Sequence, residues 1–393
     1  MGTKYPHSRT TATDLGRNSS GFSWLARGIS ATDTDSMEYI SSRCLAQAFF
    51  GRFHQLPEVV EDARHAYSRT LRMVRENMEA RVSLHQTTLM MTILTLTIFE
   101  TVVRTSATAW IMHTQGLAQI IQLRGPRAFH QQLTLAMFEV GRQFIIAEGI
   151  MNKHKIFLED EQWVPRQSTV RMRSMNSQLF DILCGIPSLV ADLEMHETAG
   201  GPADDRLRSK IVRTLDSLFE WRWRWERMYG GCAFEAITDS SLRLNLDAHD
   251  RPLFPNVLYF SDQLLASDIA NYDACLAFVL RAANQTMGDS WSSFVKATAS
   301  SHLTQPTSIL LLPPDVRSAS DVMLELFRMV EFHLSGGRAI SGNAFRLLFP
   351  LSLAGRGLPL DSDEKVWMSR MCHEIADISG FGLFDLGFFS ESA

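Results

Sequence analysis

Apolar residues recur at intervals of three or four along most of the chain after about residue 34. In residues 56–78, LPEVVEDARHAYSRTLRMVRENM, this spacing continues for several turns. Pro57 and Glu58 lie where the start of a helix tolerates proline and favours negative charge. The same spacing recurs over 323–334 and 367–378, and alternating strand-like segments are scarce. The pattern predicts an all-α fold.

Polar and glycine- or proline-rich stretches predict the organisation of the chain. Residues 1–34 are rich in Ser, Thr, Gly and Asp and predict a disordered N-terminus. Residues 288–318 are polar and contain proline, which predicts a long irregular loop. We find no internal repeat. We therefore expect one large irregular helical domain over residues 35–390, interrupted at 199–205, 229–232, 251–255 and 311–315.

The segment Val82–Phe99, VSLHQTTLMMTILTLTIF, carries no formal charge over its length. A membrane-spanning helix needs about 20 predominantly apolar residues. This segment is shorter and contains His85, Gln86 and several threonines. We interpret it as a helix buried in the protein core and expect no membrane contact.

Charge and cysteine usage exclude several classes of partner. The 393 residues carry a net charge of −5, with both signs spread along the chain. The sequence contains no basic patch, so it gives no reason to expect direct contact with nucleic acid. The five cysteines are scattered, odd in number and without a C-x-x-C pair, a pattern typical of reduced thiols and not of a zinc site. We predict no metal ion and no cofactor.

The strong catalytic motifs fail when their spacing is checked. In CHEIAD, Asp377 occupies the position where a zinc protease needs its second histidine. DDRLR at 204–208 lacks the third aspartate of a magnesium-binding cyclase motif, and GDS at 288–290 opens a polar loop instead of a strand-to-helix turn. No P-loop, Rossmann or G-x-S-x-G pattern is present. Catalytic residues therefore stay unassigned.

The segment WRWRWERMY, residues 221–229, interleaves arginine with aromatic residues. Such interleaving could stack nucleic-acid bases. On a helix, however, Trp221 and Trp225 share one face, and the arginines point mostly elsewhere. We favour a tryptophan ridge packed in the core with solvated arginines.

Five polar or aromatic side chains stand on otherwise apolar helices and are the candidate residues of a ligand pocket. They could orient an apolar small molecule or polarise a carbonyl group. The alternative is that each is a core residue whose polar atoms are satisfied within the protein. The five are His85, His113, Trp225, Tyr272 and His333.

Residues 113–126, HTQGLAQIIQLRGP, predict the second half of a helix and its end. His113 shares the inward face of this helix with the core residues. Gly116 costs about 1 kcal/mol relative to alanine inside a helix, and we expect a neighbouring helix to approach closely there. Gly125 predicts a left-handed cap, and Pro126 prevents the helix from continuing.

Segments 93–100, ILTLTIFE, and 109–126, AWIMHTQGLAQIIQLRGP, resemble the central region of fungal zinc-cluster transcription factors. That family shows a leucine-rich helix ending in Phe-Glu, then His-x-x-Gly, then Arg-Gly-Pro. The resemblance extends from about 36 to 390 through 157–163, 179–190, 326–334, 343–355 and 366–382. It implies an all-α regulatory or ligand-sensing domain and a nuclear location, with the cytoplasm as the alternative.

One departure from the family concerns DNA binding. The family reads DNA with an N-terminal module of six cysteines on two zinc ions. Only Cys44 lies in the first 180 residues here, so we expect no direct binding of nucleic acid by a zinc cluster. A truncated gene would also give this pattern.

Three functions remain open. The first is a transcription-factor-like regulator, tied to fungal secondary metabolism, that acts through partners or a bound apolar small molecule. The second is the same scaffold recruited as a cofactor-independent cyclase or pericyclase of Diels–Alder type, which needs a shaped pocket and no classical motif. The third is a dimerising module that exposes the tryptophan ridge or the segment FGLFDLGFF, 381–389.

Overall fold

A computed structural model describes residues 23–79, 87–163, 173–200, 204–237, 254–296, 308–334, 340–356, 358 and 363–382. The described chain is predominantly α-helical, as predicted. Its N-terminal half contains helices α1 Ser23–Ile29, α2 Met37–Phe53, α3 Pro57–Glu79, α4 Thr87–Val103, α5 Ala109–Arg124, α6 Gln132–Met151, α7 Met175–Leu183 and α8 Ile186–Ala199.

The C-terminal half continues the helical pattern around one small sheet. Strands β1 Ala233–Ile237 and β2 Asn256–Phe260 pair antiparallel, with Ala233 opposite Phe260 and Ile237 opposite Asn256. Sequence patterning missed this hairpin because each strand has only five residues. The helices are α9 Asp205–Tyr229, α10 Gln263–Met287, α11 Ala319–Arg328, α12 Val330–Leu334, α13 Ile340–Gly355 and α14 Asp363–Ser379.

Helix α4 is the central element of the N-terminal half. Every residue from Leu89 to Val103 is buried, and α4 packs against α2, α3, α5 and α6. Thr95, Thr97 and Thr101 tolerate this environment because their hydroxyls donate to the helix backbone. Thr95 Oγ1, for example, donates to the Met91 carbonyl at 2.8 Å. The interpretation of this segment as a core helix is confirmed over the described residues. No described helix has the length and hydropathy needed to cross a bilayer.

Helix α10 has the same role in the C-terminal half, where it packs against α7, α9, α11, α13 and β2. The helix begins at Asp262, whose carboxylate accepts a hydrogen bond from the Leu264 amide at 2.6 Å. It ends at Gly288, whose φ of 61° suits glycine. Alanines along the buried face, including Ala266, Ala270 and Ala274, let neighbouring helices approach.

Part of the predicted disordered N-terminus is helical. Residues 1–22 lie outside the described range, but α1 packs on α2, α4 and α6 with Trp24 completely buried. The helix approaches closely at Gly28, where an added Cβ would lie 2.1 Å from the Ser42 hydroxyl oxygen. A single buried tryptophan thus anchors a segment whose composition is otherwise polar.

Two other predictions concern the C-terminal half. The helix expected over 323–334 divides after Arg328 into α11 and α12, although Val330 and Leu334 keep the buried face. In the predicted loop 288–318, the described residues form short 3-10 turns at Gly288–Ser293 and Pro313–Asp315. Residues 297–307 lie outside the described range, and the single domain stays a prediction.

The tryptophan ridge is in the core, but the arginine prediction is wrong for Arg222. Trp221 and Trp225 are fully buried. Arg222 is also completely buried, because Glu226 one turn later accepts from its Nη1 at 2.7 Å and its guanidinium lies 5.1 Å from the Trp225 ring centre. Arg227, by contrast, is exposed. The ridge therefore offers no exposed partner surface. Of the other proposed surface, Phe381 is buried and residues 383–389 lie outside the described range.

Candidate functional site

An apolar groove lies between α5, α6 and α13. Its empty space, including the part open to solvent, is about 410 Å³. Four of its lining side chains are aromatic. The lining consists of Trp110, Gln143, Phe144, Ala147, Phe345, Leu348, Phe349 and Ser352.

Helical spacing places these residues on two facing stripes. On α13 the lining positions are 345, 348, 349 and 352, which fall on one helix face. Phe345 faces Phe144 of α6, with ring centres 5.8 Å apart. Phe349 lies 6.1 Å from Phe180 of α7, which supports the inner end of the groove. The two stripes belong to distant parts of the sequence.

The polar atoms of the lining are few. The Ser352 hydroxyl already donates to the Phe349 carbonyl at 2.7 Å, so Gln143 is the lining residue that can offer both an amide donor and an amide acceptor. Such a lining presents an apolar surface with one amide that could pair with a carbonyl or hydroxyl group. Among the described residues, no group of three His, Cys, Asp or Glu side chains is placed to hold a metal ion.

An adjacent face of α13 carries Arg346, which reaches a buried polar region beside α10. Burial lowers the pKa of Arg346, and the nearby carboxylates of Asp268 and Asp262 partly offset this effect. His333 of α12 is completely buried next to it, and burial, assisted by the charge of Arg346, lowers the pKa of His333 to about 3. His333 is therefore neutral at physiological pH. Helix α13 thus lines the groove on one face and contacts this polar region on another.

Three of the five predicted pocket residues converge on α10. The Trp225 indole nitrogen donates to Asp268 Oδ2 at 3.4 Å. Tyr272, itself on α10, stacks on Trp221 with ring centres 5.3 Å apart, and His333 lies beside the Ala266 backbone. All three predicted side chains are buried, and none lines the groove.

Trp225 also lines a second, smaller groove of about 250 Å³. Glu226, Tyr229 and Cys232 line it as well. Burial raises the pKa of the Cys232 thiol to about 11, with further repulsion from Glu226, so this thiol is not an activated nucleophile.

His113 is separate from the α10 group. Its Nε2 lies 2.7 Å from the Tyr67 hydroxyl of α3, and burial lowers the pKa of His113. Glu100 lies in the same polar cluster and accepts from the Thr105 amide at 2.8 Å and the Thr105 hydroxyl at 2.6 Å. The satisfied histidine described as the alternative fits this geometry. His85 lies outside the described residues.

The predicted end of α5 is largely confirmed, but the prediction that a neighbouring helix approaches Gly116 is wrong. Gly125 has the expected positive φ, 71°, with an extended ψ of 163°, and Pro126 begins a 3-10 turn. An added Cβ at Gly116 would meet nothing within 4 Å. Among the described residues, the glycine therefore faces open space and not a neighbouring helix.

Sequence reasoning missed the groove residues Gln143, Phe144 and Phe345. A helical pattern shows that such residues share a face, but not which faces leave space between them. The signal that could have found them is the stripe of Phe345, Phe349 and Ser352, in which an aromatic face ends in a polar residue.

The comparisons with known proteins agree with the sequence resemblance. Residues 36–191 match the family model of the fungal specific transcription factor domain. An uncharacterized protein of Emericella nidulans is 27% identical over 121 residues, which are 31% of this chain. The chain spans 26% of that relative's length. No solved structure matches the chain.

The family match covers α2 to α7 and the first residues of α8. This part of the chain is therefore similar to a fungal specific transcription factor domain. It supplies the α5 and α6 walls of the groove, whereas the α13 wall comes from beyond the matched segment.

Proposed function

We propose that the chain is a transcription-factor-like regulator whose helical domain binds an apolar small molecule in the groove between α5, α6 and α13. The observation that carries the proposal is the aromatic-lined groove bordering the family-matched segment. A bound molecule would fill the space between α6 and α13 and so fix their separation. A ligand shifts a conformational equilibrium only if it binds one arrangement better than another.

Helix α13 offers a route from the groove to the rest of the protein. Phe345 and Phe349 face the groove, whereas Arg346 faces the Asp268 region of α10. A change in the position of α13 would therefore alter the contacts of α10. The output is regulatory, in the nucleus, through partner proteins. DNA contact by a zinc cluster would come from another polypeptide or from a longer form of this chain. The tie to fungal secondary metabolism stays a prediction.

The cyclase alternative uses the same groove but requires donors aimed at developing charge. The lining described above is mostly hydrocarbon, so the groove supports binding of an apolar molecule more directly than catalysis.

Ligand binding can be tested with the apolar fluorescent dye Nile red and the variant Ala147→Trp, which fills the groove. We expect saturable binding by the wild-type chain and at least a tenfold weaker affinity in the variant, a change of about 1.4 kcal/mol. Ala66→Trp is a matched control, because Ala66 is also half-buried on a helix but does not line the groove. Equal binding by both variants, with unchanged melting temperatures, would contradict the groove as the site.

The regulatory role needs a separate test. The full chain is fused to a heterologous DNA-binding module in a fungal reporter strain. We expect reporter expression to change relative to the DNA-binding module alone, and Ala147→Trp to alter the response. A fusion that folds and enters the nucleus but leaves expression unchanged would contradict the regulatory role.

A further inference from the structure

The second groove contains a carboxylate, which the groove between α5, α6 and α13 lacks. Its walls are the last turn of α9 with Glu226 and Tyr229, the turn that leads into β1, and residues 308–310. Helix α11 holds the last of these walls, because Glu325 Oε2 accepts from the Leu311 amide at 2.6 Å. The groove is therefore built from segments that regular structure and a buried hydrogen bond fix in place.

Glu226 supplies the carboxylate and uses only one of its oxygens within the described chain. Its Oε2 accepts from Arg222 Nη1 at 2.7 Å, whereas its Oε1 has no hydrogen-bond partner among the described residues. The residue is nevertheless only 9% exposed. Gly230 leaves Oε1 uncovered, since an added Cβ there would lie 2.9 Å from this oxygen. A nearly buried acceptor without a donor is unfavourable, so a cationic donor in the groove would stabilise it.

The charges around this groove are predominantly acidic. Asp268 lies behind the groove wall, where its Oδ2 accepts from the Trp225 indole nitrogen at 3.4 Å. The balance of charge is visible at Cys232, which lines the groove. Burial raises the pKa of this thiol most; of the charged groups, Glu226 and Asp268 also raise it, and Arg222 lowers it. Two anions against one cation favour a positively charged ligand.

Two aromatic rings complete the site. Trp225 and Tyr229 both line the groove, with ring centres 5.6 Å apart and planes at 69°. Indole and phenol rings attract ammonium groups through their π faces, most strongly when the cation is easily desolvated. In the described part of the chain, no three His, Cys, Asp or Glu side chains are placed to hold a metal ion. One carboxylate beside two rings therefore fits an organic ammonium ion better than a metal.

We propose that the second groove binds a small organic cation, with its ammonium group between Glu226 and the rings of Trp225 and Tyr229. The site is separate from the groove between α5, α6 and α13 and does not depend on an apolar ligand there. A methylated ammonium group suits it, because such a group loses little hydration when it meets the rings. With a single, partly paired carboxylate, we expect half-saturation at roughly millimolar concentration.

Cys232 provides a readout inside the groove, because it is partly exposed and the other four cysteines are buried. The full chain is labelled with trimethylammonioethyl methanethiosulfonate or with the uncharged methyl methanethiosulfonate. Each reagent transfers its thioalkyl group to the Cys232 sulfur, forming a mixed disulfide and releasing methanesulfinate. The raised pKa of the thiol slows both reagents alike. The ratio of the two rates, divided by the same ratio for β-mercaptoethanol, therefore measures how far the groove enriches the cation.

We expect this normalised ratio to be at least about fivefold above one, because the acidic groove concentrates the cationic reagent. Glu226→Gln should bring the ratio close to one. Glu220→Gln is the matched control, since Glu220 is an exposed glutamate on the same helix, and it should leave the ratio unchanged. Peptide mass spectrometry assigns the labelled cysteine. A ratio of one in the wild-type chain would overturn the proposal.

Protection by a ligand tests the site in the wild-type chain. Choline is the probe, and dimethylbutanol, in which carbon replaces the ammonium nitrogen, is its uncharged control. At about 10 mM, choline should slow the labelling of Cys232 by the uncharged reagent at least threefold, and dimethylbutanol should not. Tyr229→Leu should weaken the protection by choline with little change in melting temperature. Equal protection by both compounds would indicate an apolar groove, and protection by neither would indicate no site; either result would overturn the proposal.

Discussion

Two arginines are buried in the part of the chain that the structure describes, and their surroundings differ in the balance of charge. Arg142 of α6 is 2% exposed and Arg222 of α9 is completely buried. Each guanidinium also lies against an aromatic ring, Phe180 for Arg142 at 5.3 Å and Trp225 for Arg222 at 5.1 Å. Burial and aromatic contact are therefore common to both.

Arg142 belongs to a balanced network. Its guanidinium donates to Asp181 Oδ1 at 2.9 Å and to the Ser177 carbonyl at 2.8 Å, and it pairs with Glu139. Arg173 pairs with the same two carboxylates. Two cations thus face two anions, and both carboxylates keep some contact with solvent.

Arg222 belongs to an acidic group. Glu226 is its ion-pair partner, and its Nε and Nη2 have no hydrogen-bond partner among the described residues. Asp273 of α10 and Glu325 of α11 lie nearby and are fully buried. Burial, with repulsion from Glu325, raises the pKa of Asp273 well above its ordinary value. The two buried arginines thus differ in the number of acidic side chains around them: Arg142 shares a site with equal numbers of cations and anions, whereas acidic side chains outnumber Arg222.

Arg222→Met should give the largest loss of stability. It leaves three acidic side chains buried without their nearest cation, which costs about 3–5 kcal/mol when a buried pair is broken. The loss should be greater at pH 8 than at pH 5.5, because the remaining acids can bind protons at the lower pH. Urea unfolding at both pH values measures this, with Arg227→Met as the exposed control on the same helix. An equal loss at both pH values would contradict the acidic-group interpretation.

Arg142→Met should cost less, about 2–3 kcal/mol. Glu139 and Asp181 are 22% and 24% exposed and keep Arg173 as a partner, so neither becomes an isolated buried charge. The loss should be similar at pH 5.5 and pH 8. A loss larger than that of Arg222→Met would remove the distinction between the two sites.

At each site, the sequence predicts the ion-pair partner on the same helix but not the acidic side chains that come from other helices. Glu139 precedes Arg142 by three residues and Glu226 follows Arg222 by four, so helical spacing alone predicts those pairs. Asp181, Asp273 and Glu325 come from other helices, and their positions depend on how α7, α10 and α11 pack. For that reason the buried position of Arg222 could not be read from WRWRWERMY, although the tryptophan face could.

The same limit applies to the groove and to α5. The helical period identifies α3, α5 and α14 and the inward face of α5, which are local properties. Whether Gly116 meets a helix or open space depends on where α3, α4 and α6 end relative to it. The groove between α6 and α13 likewise results from incomplete packing of two helices that are far apart in sequence, and no local pattern encodes such a gap.

Replacing one acidic side chain with its amide should change the stability of the protein in opposite directions at the Arg222 and Arg142 sites. Burial raises the pKa of Glu325 to about 7 from an ordinary value of 4.5. Between these pH values the folded state keeps a proton that the unfolded chain has released, so stability falls as pH rises through this window and is constant above it. Glu325→Gln removes the loss and should stabilise the protein by about 1–2 kcal/mol at pH 8 and little at pH 4.5.

Asp181→Asn is the comparison for Glu325→Gln. It removes a charge that pairs with both Arg142 and Arg173, so it should destabilise the protein at pH 8 by about 1–3 kcal/mol. The thermal unfolding midpoints of both variants, measured across pH, show whether the two substitutions change stability in opposite directions. If both substitutions destabilise at pH 8, the excess of negative charge around Arg222 does not limit stability.

The smallest expected effects concern two hydroxyl groups. The Ser177 hydroxyl donates to Glu139 and accepts from Arg142 at 3.1 Å, so Ser177→Ala should cost about 1 kcal/mol. The buried Tyr272 hydroxyl has no partner among the described residues. Tyr272→Phe should therefore change stability by less than about 0.5 kcal/mol or raise it, because no hydrogen bond is lost and an unsatisfied polar group is removed. A loss above 1 kcal/mol, measured by urea unfolding, would show that the hydroxyl is satisfied, for instance by internal water.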